Sequence, residues 1–171
     1  MAEKTAKLSS SDVPLVTGDH SRVTDAIKAD LWQAIAQIEG LPADSAKFVH
    51  EVALRAAVSR DLHEMAKALQ SVGLQRERAI FLCRWLRNRA KALMTRDERI
   101  KLGLFEAIWV YSGAPCMYDP TDEKSKCRDE AHRLAQGRKF NVADGLRLNE
   151  KNTWPGYEPD CKCSSKVVLP F

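Results

Sequence analysis

What the chain lacks sets its first bounds. No apolar run approaches the roughly 18 residues that cross a membrane. Met1-Ala2-Glu3-Lys4-Thr5-Ala6-Lys7 has none of the apolar core of a secretory signal, so export by that route is not expected. The eight glycines form no phosphate-cradling GxxxxGK pattern around Gly137 or Gly145. There is no internal repeat and no low-complexity segment. The five cysteines are an odd number without an export signal, which argues against a disulfide framework and for thiols or metal ligands in a reducing compartment. What remains is an ordinary globular composition. A chain of 171 residues, 44% hydrophobic and 29% charged, can bury one core and carry a small appendage.

The periodicity predicts an α+β fold in three parts: an extended or flexible arm over residues 1–20, a helical body of about four helices over 21–103, and a small, loop-rich Cys/His-containing α+β cap over 104–171. The first helix is predicted over 21–39 from Ile27, Leu31, Ile35 and Ile38, with Gly40 and Pro42 ending it. A second follows Ala43-Asp44-Ser45, with Phe48, Val49, Val52 and Ala56 on one side. Ser59 or Asp61 is the candidate cap of a third, which carries Leu62, Met65, Ala66 and Leu69 as far as Gly73. The fourth and longest, 75–102, is striped with Ala79, Leu82, Cys83, Leu86, Ala90 and Leu93, and Thr95-Arg96-Asp97-Glu98 offers a capping box that could restart it near Met94. Strands are predicted at 107–111, 139–142 and 166–169, and a short helix at 128–136.

Charge is uneven along the chain. Between Arg76 and Lys101 nine cations face three acids, against a net charge of +4 for the whole molecule. Arg76, Arg84, Arg87, Arg89, Lys91 and Arg96 are the candidate contacts to a phosphate backbone or an acidic protein surface, and a solvated helix face is the plainer reading of the same residues.

The cap carries the chemistry. Cys161-Lys162-Cys163 places two thiols one residue apart, and Cys116 and His132 are available to complete four ligands, with Cys127 as an alternate. One structural zinc, a disulfide formed on oxidation, and free thiols are the three readings of this set. Four protein ligands would leave no open position for catalysis. Cys127 or Cys161 as a nucleophile with His132 as base is the enzymatic reading, and neither a third catalytic member nor a glycine-rich oxyanion loop stands out. Cys83 is expected as a small buried hydrophobe, and Trp109 and Trp154 as core anchors.

The order of these pieces resembles the C-terminal half of the phage Mu F-like, head-morphogenesis family of minor head proteins. The resemblance runs over 59–171. It rests on the Arg-rich helix, then Leu102-Gly103-Leu104-Phe105-Glu106-Ala107-Ile108-Trp109-Val110-Tyr111-Ser112, His132, Gly137-Arg138-Lys139-Phe140 and Gly145, then Trp154-Pro155-Gly156, Cys161-Lys162-Cys163 and Val167-Val168-Leu169-Pro170-Phe171. It implies a binding protein of the virion, not an enzyme. Such a protein sits near the portal in few copies, assists head assembly or genome delivery, and is put together in the bacterial host cytoplasm. The partners implied are portal and capsid proteins and packaged double-stranded DNA, within a larger assembly and without a membrane. The resemblance has departures: family members commonly carry a longer, portal-associated N-terminal region, expected here to be lacking or shortened to 1–41, Lys162 stands where Arg is usual, and the insert from Cys116 to His132 is long. The alternative from another class is a small metal- or Cys/His-dependent enzyme, a nuclease or transferase.

Overall fold

The computed structural model describes residues 20–59 and 62–169. The expected arm lies outside them except for residue 20, as do Asp61 and the last two residues. The fold is α+β. Four helices form the body: α1 (Asp25–Ala36), α2 (Ala46–Val58), α3 (Leu62–Ser71) and α4 (Arg76–Lys101). Among the described residues no helix is long and apolar enough to cross a membrane.

Thr24 starts α1, four residues later than the periodicity predicts, because its hydroxyl accepts the amide of Ile27 at 3.4 Å while residues 20–22 form a separate 3-10 turn. Ile27, Leu31 and Ile35 then point inward at helical spacing. In α2 the inward stripe is Val49, Val52, Ala53 and Ala56, and Phe48, expected on that side, lies at its edge and is exposed. α4 is unbroken over 26 residues. Leu93 and Met94 are both buried, so the apolar stripe continues through the predicted break and holds the helix together there. Ala34, Ala53, Ala56, Ala66, Ala79 and Ala90 are all buried, and these small side chains let the four helices close on one another. Burying each large aliphatic of this core contributes about 1.5–3 kcal/mol before entropy is counted.

A second core lies under the cap. β1 (Glu106–Val110) is the centre of a three-stranded antiparallel sheet, with β2 (Lys139–Asn141) on one side and β5 (Ser164–Val168) on the other. Ala107 is paired with Phe140 and Val167, and the alternation of β1 turns Ala107 and Trp109 inward. α5 (Glu123–Leu134) begins five residues earlier than predicted because Asp122 caps it, accepting from the amides of Ser125 at 3.1 Å and Lys124 at 3.3 Å. β3 (Leu146–Leu148) and β4 (Lys151–Thr153) make a hairpin that the periodicity does not predict. Trp109, Phe140, Val142, Leu146 and Leu148 fill the core between these elements. Trp109 is fully buried, with its ring 5.3 Å from that of His132, as an anchor and not a stacking platform.

Candidate metal centre

Three separate parts of the cap converge on one point. Cys116 comes from the loop after β1, His132 from the last turn of α5, and Cys161 and Cys163 from the segment that feeds β5. All four residues are buried, and their donor atoms lie within 4.8 Å of one another. Cys116 Sγ is 3.6 Å from Cys163 Sγ, and Cys163 Sγ is 3.9 Å from His132 Nδ1. Two thiolates sharing a tetrahedral ion at about 2.3 Å each stand about 3.8 Å apart, so the cluster can hold a metal ion with little movement. A disulfide needs about 2.05 Å, and all five thiols are free.

The surroundings orient the ligands. The amide of Gly156 donates to Cys161 Sγ at 3.2 Å, and the amide of Lys162 donates to Cys116 Sγ at 3.3 Å. Such N–H···S bonds stabilise thiolates, as outer partners of metal ligands do. Gly156 reaches its position with φ +83°, and Asp160, just before Cys161, also takes a left-handed conformation. On the far side of its ring, His132 Nε2 faces Glu158 Oε2 at 3.3 Å, an ion-pair distance without full hydrogen-bond alignment. Asp129, one turn before His132 on α5, accepts the amide of Cys116 at 2.6 Å and the phenol of Tyr111 at 2.9 Å, and so fixes the loop that delivers Cys116.

Packing three thiols and an imidazole together in a buried site splits their proton affinities. Hydrogen bonds from Cys161, then Cys163, hold Cys116 well below the ordinary thiol range. Cys161 is pushed far up by its contacts with Cys116 and Cys163. Burial opposes charge on His132, but its contacts with Cys116, Cys163 and Glu158 outweigh that and raise it to about 11. These contacts favour an ionised thiol within the cluster beside a protonated His132.

Four of the five candidate ligands predicted from the sequence come together. Cys127, the alternate, is exposed and outside the cluster, since five residues on α5 turn it well away from the face that carries His132. That also separates Cys127 from His132, the base it would need as a nucleophile. Cys83 is buried in the helical core as expected, and burial pushes its thiol up to about 12.

The same segment that supplies two ligands also grips the helical body. Trp154 and Tyr157 pack against the helical core, and the indole of Trp85 donates to the carbonyl of Tyr157 at 3.3 Å. Arg89 pairs with both oxygens of Asp30, at 2.5 and 2.9 Å, with its guanidinium 3.8 Å from the centre of the Tyr157 ring. The six candidate contact cations are thereby separated. Arg89 is consumed by this clasp, and Arg96 is paired with Asp97 at 2.8 Å and lies over Trp154. Arg76, Arg84 and Lys91 are exposed, and Arg87 is half-buried.

Sequence reasoning missed Glu158, Asp129 and the Asp30–Arg89–Tyr157 clasp. Only Asp129 left a signal, a carboxylate one helical turn before a ligand histidine. Comparison with protein-family models, with curated proteins and with solved structures finds no match.

Proposed function

We propose that this chain is a virion protein of a tailed phage, a minor head component near the portal that works by binding during head assembly or genome delivery. In this reading the cap is fastened by one structural zinc held by Cys116, His132, Cys161 and Cys163. The observation that carries the proposal is the double role of residues 154–163. Trp154-Pro155-Gly156 and Cys161-Lys162-Cys163, on which the family resemblance chiefly rests, supply two cluster ligands and dock the cap on α4. A motif spent on holding two layers together fits a protein whose task is to present surfaces.

Zinc suits the donor set, since one imidazole and three thiolates in a tetrahedral arrangement form a usual closed site for it. Zinc in such a site supplies cross-linking and no reaction. The chain's own residues do the rest: the Gly156 and Lys162 amides stabilise thiolate sulfur, and Glu158 and Trp109 hold the His132 ring. Portal and capsid proteins are the proposed partners, with packaged double-stranded DNA beside them, and the site of assembly is the bacterial host cytoplasm.

A mass-resolved inventory of purified particles tests the proposal. The chain is expected in particles at low copy number. Its absence from particles that carry the rest of the head would overturn the reading.

A further inference from the structure

A groove of about 320 Å³ runs between α4 and residues 154–165, and its walls carry Lys91, Arg96, Arg99 and Lys162 without a single carboxylate. A smaller recess of about 160 Å³ continues it past Asn88, adds Arg84, and holds the one acid, Asp160.

Arg99 is the most telling of these cations. Its guanidinium is half-buried and donates to Ser165 Oγ at 2.7 Å and to the Ser165 carbonyl at 3.3 Å. Neither partner is charged, so among the described residues a partly desolvated cation is held in place without a counter-charge, and burial lowers its proton affinity. Lys91 is exposed one helical face away, with no acidic partner among the described residues. Lys162 reaches the Pro115 carbonyl at 2.8 Å, with Asp160 at 3.8 Å. Arg96 is balanced by Asp97.

We propose that this groove binds the phosphodiester backbone of duplex DNA, with Lys91 and Arg99 at its centre and Arg84 and Lys162 at its end. The inference rests on the virion reading above, which places the chain beside packaged DNA. From Arg84 to Arg99 the cations extend along about 22 Å of helix axis, the rise of about six phosphates on one strand and more than one nucleotide can span. Single strands are held largely by stacking on free aromatic faces. Here the Trp154 indole is taken, with Arg96 5.2 Å from its ring, Tyr157 against it at 5.4 Å, and its N–H given to the Val142 carbonyl. Phe140, the other aromatic residue that lines the groove, is buried, so the groove itself offers no free ring to stack on a base, and recognition there is of the backbone and independent of sequence. The contact set differs from the one the sequence offers, because Arg99 and Lys162 enter it while Arg76, Arg87 and Arg89 leave it and Arg96, though on the groove wall, is balanced by Asp97.

The test is fluorescence anisotropy on the full chain with a labelled duplex of about two helical turns, over a salt series. Lys91→Glu is the decisive variant, because its side chain is exposed and its loss leaves the packing intact. It is expected to weaken binding about tenfold and to lower the slope of log affinity against log salt by about one. Arg99→Gln is expected to act in the same direction, with a thermal melt to confirm that the fold persists. Arg76→Glu, outside the groove, is expected to stay within about twofold of the parent. Equal losses in Lys91→Glu and Arg76→Glu, or no loss in Lys91→Glu, would overturn the proposal. So would a parent chain that binds inorganic phosphate and not the duplex. A chain that passes this test but is missing from particles would sink the virion reading and leave the groove standing.

Discussion

The phenol of Tyr157 donates to Asp30 Oδ2 at 2.6 Å, across 127 residues of sequence. Asp30 also takes both arms of Arg89, and Arg89 lies over the Tyr157 ring, so α1, α4 and the cap meet at three side chains. Tyr157 stands four residues before Cys161. One short segment therefore answers both for the Cys/His cluster and for the attachment of the cap to the helices.

Tyr157→Phe removes a hydroxyl that serves Asp30 and Arg89 together, and the expected cost is about 1–2 kcal/mol, read as a lower Tm. Asp30→Ala leaves Arg89 mostly buried without a carboxylate, so the expected cost is larger, about 2–3 kcal/mol after discounting for partial exposure. The two changes share partners, and the double variant is expected to fall short of their sum. Strict additivity would show that the clasp does not act as a unit.

Thiol reactivity separates the five cysteines by environment. In the metal-loaded chain, Cys127 alone is expected to react with a disulfide reagent, because it is exposed. A chelator should release Cys116, Cys161 and Cys163 to the reagent as well. Cys83, buried and raised to about 12, should wait for denaturant. Rapid reaction of the cluster thiols before chelation would mean that they ligate nothing.

The pH dependence of stability should change shape with metal. In the chelated chain, Cys116 is held below its usual 9.0 by hydrogen bonds from Cys161 and Cys163, while the contacts of His132 with Cys116, Cys163 and Glu158 overcome burial and raise it from 6.5 to about 11. Between about pH 6.5 and 9, folding then loses one proton at Cys116 and gains one at His132, and stability is level. Below 6.5 the unfolded imidazole is protonated as well, only the thiol contribution remains, and stability falls as pH falls. Above 9 the unfolded thiol is ionised as well, the bonus of the raised His132 is lost toward about 11, and the raised Cys161 adds to the loss. The metal-loaded chain should lose stability only on the acid side, where protons displace the ion. Melts across the pH range, with and without chelator, check this, and identical curves would contradict it.

The parts legible in the sequence were those with long-range pattern or special chemistry. Ile27, Leu31 and Ile35, or Leu82, Leu86 and Leu93, repeat at helical spacing for long enough to name their helices, and four buried donors were readable as residue types that seldom cluster by accident. The β3–β4 hairpin was not legible. Its strands are three residues each, rich in Lys, Arg and Asn, and its turn uses Asn149 and Glu150 at positive φ, where a glycine would have given the signal. Phe48 was misplaced because periodicity gives the direction of a side chain but not how far the neighbouring helix reaches. Arg89 looked like its neighbours in the basic stripe, and only Asp30, 59 residues away, sets it apart.

That hairpin offers its own check. A Cβ on Gly145 would fall 2.7 Å from the Thr153 carbonyl oxygen and 3.0 Å from the Trp154 ring, at φ +77°. Gly145→Ala is expected to cost about 2 kcal/mol or more, through strain and displacement of Trp154. An unchanged melt would show that the hairpin does not support the Trp154 position.

A cap fastened by metal is tested most directly by the metal content of the purified chain, measured by native mass spectrometry and followed by hydrogen exchange before and after chelation. One zinc per chain is expected. Its removal, or His132→Ala, should abolish amide protection in β1 and β5 while α1, α2 and α4 keep theirs. A chain that carries no metal, with β1 and β5 equally protected before and after chelation, would contradict a metal-fastened cap.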